Sequence, residues 1–275
     1  MSERLTLSPW HALLLRICRS RTTGWWGRRT ALAIRHYLMP RMQMPFVATV
    51  GGITLDFHLG DNVSERRLFF MPNFFDPAEF ALIAAHLPPD GVFVDIGANV
   101  GIYSLHAAHC LGSCGRVIAY EPNPVAARRF EANLRLNRIE ASVRLIAEGV
   151  ADATSTFSLY LDPTNLGGAS LVATARAKRI DVPCRALLES LRALDVPKID
   201  ILKIDVEGAE PLALGPFFEV APAALWPRWL IMERSDRIWD VDFLPGILAR
   251  GYAIRATTRA NYILARVGMD QNSNV

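Results

Sequence analysis

The sequence predicts an α/β fold: a doubly wound, mostly parallel seven-stranded sheet with an antiparallel C-terminal edge and an N-terminal helical extension. Three observations carry the prediction. From residue 91 onward, short apolar runs alternate with helical patterns, as βαβ units do. The first run leads into VFVDIGANVG, Val92 to Gly101, where an acid and a glycine-rich turn join strand to helix. The second run ends in another acid, Glu121, 20 residues after Gly101. The chain's 275 residues give room for one α/β domain of about 200 residues plus an extension.

Residues 1–45 differ in composition from the rest, with eight arginines, no lysine and one acid, Glu3. Ser8-Pro9 opens a helix, and Trp10, Leu13, Leu14 and Ile17 recur at the spacing of one helix face. Arg16 and Arg19 lie off that face, and Trp25-Trp26-Gly27-Arg28-Arg29 follows. A cap helix packed on the main domain, or on a second copy in a homo-oligomer, explains the pattern most simply. Arginine beside tryptophan also suits peripheral contact with an anionic membrane surface. Residues 46–90 read as a lead-in element. Phe46 to Val50 and Ile53 to His58 form a hairpin around Gly51-Gly52. Asp76 is expected to cap a helix with Pro77 first and Glu79 third, running to about Leu87 and stopped by Pro88-Pro89.

Residues 91–268 form the main domain. Val92-Phe93-Val94 is the first strand, ended by Asp95, and Ile102 to Leu111 is a helix. Arg116 to Tyr120 is the second strand, Pro124 to Asn137 a helix with Phe130 and Leu134 inward, and Val143 to Ala147 the third strand. Phe157 to Leu161 alternates, as an extra edge strand that Ile180 to Pro183 can pair with. Asn165 to Ser170 is a loop, and Arg185 to Leu194 is helical. Ile199 to Ile204 and Trp229 to Met232 are the fourth and fifth strands. Tyr252 to Ala256 and Tyr262 to Ala265 flank a turn and make the antiparallel edge; residues 269–275 are a tail.

A strand that feeds a helix through a glycine-rich turn gathers backbone N–H groups and an acid at one point, where α/β proteins bind nucleotide-like ligands. Dinucleotide turns use G-x-G-x-x-G and phosphate loops G-x-x-x-x-G-K-[ST]. Here the pattern is D-x-G-x-x-x-G, and no Lys-Ser or Lys-Thr follows. An acid at this place suits a cationic ligand with an amino-acid end and a nucleoside end. S-adenosylmethionine is such a ligand, with an ammonium, a sulfonium and no phosphate. Glu121 is then placed to accept hydrogen bonds from both ribose hydroxyls; otherwise it is a strand-end surface carboxylate. His106, His109, Cys110 and Cys114 look like metal ligands, yet four zinc ligands on one helix would leave no face for packing. A packed core helix explains them better; Asp205 with a neighbouring acid could bind magnesium through oxygens, but no compact cluster demands a metal and none is assigned.

A dense run, Lys203-Ile204-Asp205-Val206-Glu207-Gly208-Ala209-Glu210, ends the fourth strand. The carboxyl ends of strands in an open α/β sheet face its ligand crevice, and Asp95, Glu121, Asp205 and Glu233 all read as such ends. Some of these acids must hold hydroxyls or amines, because together they would otherwise repel.

The run from Gly91 to Glu210 resembles the FkbM-type methyltransferases, a branch of the class I S-adenosylmethionine-dependent, Rossmann-like fold. The matching pieces are VFVDIGANVGIYSL, VIAYEPNP, GVAD at Gly149 to Asp152, NLGGASL and ILKIDVEGAEPLAL, with LIMERS around Glu233 beyond them. The first 45 residues lie outside the shared pattern. The resemblance implies that Asp95, Gly97, Asn99 and Gly101 hold the methionine end of the cofactor and Glu121 its ribose. Pro122 and Asn123 would lie near the adenine, and Glu148 and Gly149 would wall it. Asp205 would lie at the mouth of the methyl donor, with Lys203, Glu207 and Glu210 around it.

Methyl transfer from a sulfonium is an in-line displacement, so the protein mainly aligns the reactants and excludes water. A hydroxyl acceptor also needs a base. Asp205 is the first candidate for base or acceptor-orienting residue, followed by Glu233 and Glu207. Lys203 either shifts a neighbouring carboxylate or reaches the rim. Glu207 and Glu210 can also be read as acids that complement a helix dipole. Asn165, Gly167 and Gly168 are expected in the acceptor wall, where glycines permit close backbone approach.

The expected activity is O-methylation of a hydroxyl on a sugar, glycolipid or secondary metabolite. An N- or carboxyl-methyltransferase acting on a protein or small amine, and a non-catalytic cofactor-binding or membrane-docking protein, are the alternatives. A net charge of +3 does not argue for nucleic acid, and no aromatic stands after Asp205 to stack a flipped base. Protease and esterase classes fail for lack of H-E-x-x-H and G-x-S-x-G. Four scattered cysteines and the absence of a long apolar run point to the cytoplasm, with the basic extension able to reach the inner membrane surface.

Overall fold

The computed structural model describes residues 3–20, 24–162, 164–172, 178–235, 238–239 and 241–268; the tail at 269–275 lies outside them. The chain opens with helices α1 (Pro9–Ser20) and α2 (Gly24–Leu38), then the hairpin β1 (Phe46–Val50) and β2 (Ile53–Phe57). Helices α3 (Val63–Phe70) and α4 (Pro77–His86) lead to β3 (Val92–Ile96), α5 (Ile102–Cys110), β4 (Arg116–Tyr120), α6 (Pro124–Asn137) and β5 (Val143–Ile146). Next come β6 (Gly149–Ala151), β7 (Ser155–Leu161), β8 (Lys178–Ala186), α7 (Leu187–Ala193), β9 (Ile201–Ile204), α8 (Glu210–Val220) and β10 (Trp229–Glu233). Helix α9 (Phe243–Ala249) and strands β11 (Tyr252–Thr257) and β12 (Asn261–Arg266) complete the described chain.

The main sheet has the seven strands that the sequence predicts, and their order is β11-β12-β10-β9-β3-β4-β5. The strands from β10 to β5 run parallel, and β12 pairs antiparallel with both β10 and β11. Both faces are covered, which is why these strands read as continuous apolar runs. Val92, Val94 and Ile96 join Leu202, Ile204 and Leu230 in the core beneath α7, α8 and α9. Phe93, Ile201 and Ile231 join the opposite core, with α5, α6 and the lead-in element.

The chain departs from the sequence-based expectation in several places. Phe157 to Leu161 does not extend the main sheet; β7 lies in a separate three-stranded sheet of order β6-β8-β7. Strand β8 runs through Ala186 because Cys184, Arg185 and Ala186 pair with Gly149, Val150 and Ala151, so the following helix starts only at Leu187. Helix α3 was not anticipated; Asn62 caps it by accepting from the Glu65 N–H at 3.1 Å, and Leu68, Phe69 and Phe70 bury its end. Asp76 occupies the cap position of α4 in a left-handed conformation (φ 44°) but caps nothing. Its carboxylate accepts instead from Arg67 at 2.9 Å and from the Tyr103 hydroxyl at 3.0 Å. Glu79 likewise serves no capping box; one oxygen accepts from Thr258 Oγ1 and Asn261 Nδ2, at 2.7 and 2.8 Å.

The extension packs as a cap, through a face other than the one expected. Leu15, Cys18, Ala31 and Leu38 are buried with Phe57, Phe69 and Phe70. The Cys18 thiol donates to the Phe70 carbonyl at 3.2 Å, and Arg19 Nε to the Phe69 carbonyl at 2.9 Å. Trp10 and Leu13, read from the sequence as inward, are 58% and 47% exposed. No helix of the described residues is long and apolar enough to cross a membrane.

Candidate active site

The strand order brings β10, β9, β3 and β4 side by side, so their carboxyl ends line one crevice. A cavity of ≈ 230 Å³ opens there, walled by Gly97, Ala98 and Asn99, by Glu121 and Pro122, by Gly149 and Val150, and by Lys203, Asp205, Glu207 and Glu233. Asn165 and Gly167 line it from the loop above, and Ser64, Arg67, Asp76 and Tyr103 from the lead-in side and α5.

The glycine turn is held by its neighbours. Gly97 (φ +75°) admits no side chain, since a Cβ would stand 1.9 Å from the Asp205 carbonyl oxygen. Gly101 (φ +88°) lets the turn pack on Phe130, whose ring a Cβ would approach to 2.2 Å. Four of the turn's N–H groups are used within the protein, contrary to the expectation of an open N–H cradle. Those of Gly97 and Ala98 both donate to the Tyr120 carbonyl, and that of Gly101 to the Ala98 carbonyl. Asn99 (φ 52°) donates its N–H to Glu121 Oε2 at 2.6 Å. With these donors used internally, the turn is ill suited to a phosphate.

Glu121 is 6% exposed and lines the cavity. Its Oε1 accepts the Asn123 N–H at 2.8 Å, so each oxygen holds one backbone donor and keeps a lone pair for a ligand hydroxyl. Burial pushes its pKa up to about 7, against the pull of the Asn123 and Asn99 N–H groups.

Four acids meet at the other end, around one lysine. Lys203 Nζ donates to the Gly97 carbonyl at 3.0 Å and lies 3.5 Å from both Asp95 Oδ1 and Asp205 Oδ2. Burial disfavours this ammonium, but Asp205, Asp95 and Glu233 outweigh it and raise the pKa. Asp95 is fully buried and accepts from Ser104 Oγ at 2.6 Å; it anchors Lys203 behind the cavity wall. Asp205 is the open member, its side chain 41% exposed. Burial, then Asp205 and Glu210, push Glu207 to about 7, against Lys203. Burial, then Asp205, Glu207 and Glu210, raise Glu233 well above the carboxylate range. One oxygen from each of Asp205, Glu207 and Glu233 lies within 4.8 Å of the others, a spacing that a divalent cation can also use.

The remaining predicted residues stand further back. Asn123 caps α6, accepting from the Val125 N–H at 3.0 Å. Glu148 forms a two-pronged ion pair with Arg185 at 2.6 and 2.8 Å and does not line the cavity. Gly101 and Gly168 also lie outside the lining. Glu210 is buried at the start of α8 and accepts from the Val206 and Gly208 N–H groups and from Trp239, which ties the turn before the helix to it. Glu207 (φ 53°) precedes that helix and turns into the cavity. His106 stacks on Phe80 at 4.4 Å and His109 bonds the Leu105 carbonyl, so both are spent on packing.

The sequence reading missed Arg67, Asp76, Tyr103 and Asn261, all in the cavity wall. Only Asp76 carried a signal, an acid before Pro77, and that signal points equally to a cap.

The residues present fit S-adenosylmethionine. A buried carboxylate with open lone pairs suits a vicinal diol, Pro122, Gly149 and Val150 offer a flat, largely apolar wall, and the acids around Lys203 suit a cationic end. The description "Methyltransferase FkbM domain" matches residues 95–252, more than half of the chain. The chain is 29% identical over 215 residues to the AMB antimetabolite synthetase AmbE of Pseudomonas aeruginosa, covering 65% of this chain and 10% of that one. It is 30% identical over 130 residues to the hexuronic acid methyltransferase AglP of Haloferax volcanii, covering 47% of this chain and 51% of that one. It is 25% identical over 261 residues to the 31-O-demethyl-FK506 methyltransferase FkbM of Streptomyces tacrolimicus, covering 84% and 94%. The chain thus spans a small part of AmbE and about half of AglP, and nearly all of FkbM. The matched region holds the glycine turn, the buried carboxylate of Glu121 and the carboxylates around Lys203, and this chain belongs to the FkbM family of S-adenosylmethionine-dependent methyltransferases.

Proposed function

We propose that this protein methylates a hydroxyl group of a sugar, a glycolipid or a secondary metabolite. The observation that carries the reading is Asp205: a half-exposed carboxylate on the cavity wall, fixed by Lys203 at 3.5 Å and by backbone contact with the glycine turn. S-adenosylmethionine supplies a methyl group on a sulfonium already activated for displacement. Asp205 accepts the acceptor's hydroxyl proton as that oxygen attacks, and Lys203 holds the carboxylate in place. Glu121 binds the ribose diol, and Gly97 allows the turn to lie against Asp205. Glu207 and Glu233 surround Asp205 and orient the acceptor through its other hydroxyls. Asn165 and Gly167 close the site from above; the loop is pinned by Leu166 N–H to the Asp61 carbonyl at 2.7 Å and by Ser170 Oγ to the Glu207 carbonyl at 2.9 Å. The names of two relatives, a hexuronic acid methyltransferase and a 31-O-demethyl-FK506 methyltransferase, support a polyhydroxylated acceptor. Four free cysteines support a cytoplasmic setting.

The test is transfer of labelled methyl from S-adenosylmethionine to a panel of hexuronic acid glycosides, hydroxylated macrocycles and amines. A base-stable methyl ether is expected. Label found only as base-labile ester or on nitrogen would overturn the hydroxyl assignment.

A further inference from the structure

We propose that the helical hairpin α1–α2 docks this protein on the surface of an anionic lipid bilayer. The hairpin has already used its inner face: Leu15, Cys18, Ala31 and Leu38 are buried against the lead-in element. Its aromatic side chains and Leu13 point the other way. Trp10, Leu13, Trp25, Trp26 and Tyr37 are 58%, 47%, 59%, 76% and 40% exposed. In α2, Trp26, Arg29, Ala33 and Tyr37 recur at helical spacing opposite Ala31 and Leu38. Tryptophans left mostly exposed on a folded cap keep a large apolar area in water, so they call for an outside partner.

Charge selects that partner. Eight arginines and one acid give residues 1–45 a net +7, while residues 46–275, with 22 basic and 26 acidic side chains, carry −4. Arg16, Arg28, Arg29 and Arg41 are exposed beside the apolar side chains. The Arg29 guanidinium lies 4.7 Å from the Trp25 ring and that of Arg41 4.0 Å from the Tyr37 ring. Indole at headgroup level with guanidinium on lipid phosphate is the arrangement of an interfacial helix. A second copy fits poorly, because a two-fold contact would press +7 against +7. The polarity also sets orientation: the basic pole faces the anionic surface and the acidic remainder turns away.

One helix links this surface to the cavity. The carbonyls of Phe69 and Phe70 in α3 hold the hairpin, while Val63, Ser64 and Arg67 of the same helix line the cavity. Docking therefore leaves the hairpin and α3 between the lipid headgroups and the cavity wall, a setting suited to an acceptor carried in the membrane.

The test is sedimentation of the full chain with large unilamellar vesicles of phosphatidylcholine alone or with about 30% phosphatidylglycerol. Binding is expected to the anionic vesicles only, weakening as salt rises from about 0.1 to 0.5 M. A variant with Trp10, Leu13, Trp25 and Trp26 all changed to alanine should lose more than about tenfold in partitioning, with S-adenosylhomocysteine binding unchanged as proof of folding. The wild type's tryptophan emission should shift to the blue on adding anionic vesicles, a readout that needs no variant. A wild type that stays in the supernatant, or an alanine variant that partitions equally, would overturn the proposal. So would a concentration-dependent dimer that the alanine changes abolish without any vesicle binding. None of these outcomes depends on methyl transfer.

Discussion

Affinity for S-adenosylhomocysteine should fall as pH drops from 8 to 6, because Glu121 must be ionised to accept both ribose hydroxyls. Burial pushes its pKa up to about 7. About ten in eleven molecules then carry the anion at pH 8 and about one in eleven at pH 6, a fall of about tenfold in apparent affinity, or about 1.4 kcal/mol. The sign follows from the carboxylate: the proton added at low pH occupies a lone pair that the diol needs. Isothermal calorimetry across this range measures the slope directly. Glu121→Gln should bind more weakly at pH 8 and lose the slope, since an amide does not titrate. Glu207 also sits at about 7, so Glu207→Gln serves as the control and should keep the slope. A wild-type affinity flat from pH 6 to 8, or a slope that persists in Glu121→Gln, would refute the reasoning.

Four further outcomes are expected. Asp205→Asn should lower kcat by about 10²- to 10⁴-fold while S-adenosylhomocysteine binds as before, checked by steady-state rates beside calorimetry. Glu233→Gln should lose far less at pH 7 than Asp205→Asn, because burial and its acidic neighbours already keep Glu233 protonated there. Gly97→Ala should lower both melting temperature and cofactor affinity, the clash with Asp205 adding to a left-handed backbone cost of about 1–2 kcal/mol; Gly51→Ala, at φ +60° with nothing within 4 Å, should show that cost alone. Burial raises Glu65 to about 8, above its unfolded value, so its contribution is fully present below about pH 4.5 and is lost as pH rises through 8. Glu65→Gln should therefore gain melting temperature relative to the wild type as pH goes from 5 to 9, and a constant difference would contradict this.

The main sheet was legible because its strands are buried on both faces and each ends in an acid or a turn. The runs Val92 to Val94 and Ile199 to Ile204 could be read without knowing their neighbours, within two residues of the strand ends that form. Helix α3 was not legible: its sequence, VSERRLFF, lacks a clean apolar period, and its buried end is made by contacts with α1 and the hairpin. Apolar spacing misplaces α1 because it weighs Trp10 and Leu13 most, whereas Leu15 and Cys18 make the contact and the tryptophan stays outside. At the site, the acids at strand ends were visible from spacing alone. The cavity wall formed by Arg67, Asp76, Tyr103 and Asn261 was not, because four separate segments contribute one residue each and only tertiary folding brings them together. Glu148 illustrates the opposite error: adjacency in sequence to a wall residue, Gly149, did not place its own side chain in the wall, since Arg185 holds it outside.

The central claim is that the crevice at the ends of β3, β4 and β9 binds S-adenosylmethionine through Glu121. Calorimetric titration of the full chain with S-adenosylmethionine and S-adenosylhomocysteine at pH 8, beside Glu121→Ala, tests it most directly. Micromolar binding of both ligands, weakened by about tenfold or more in the variant, is the predicted result. No heat of binding from a folded wild type, or equal affinity in Glu121→Ala, would contradict the account.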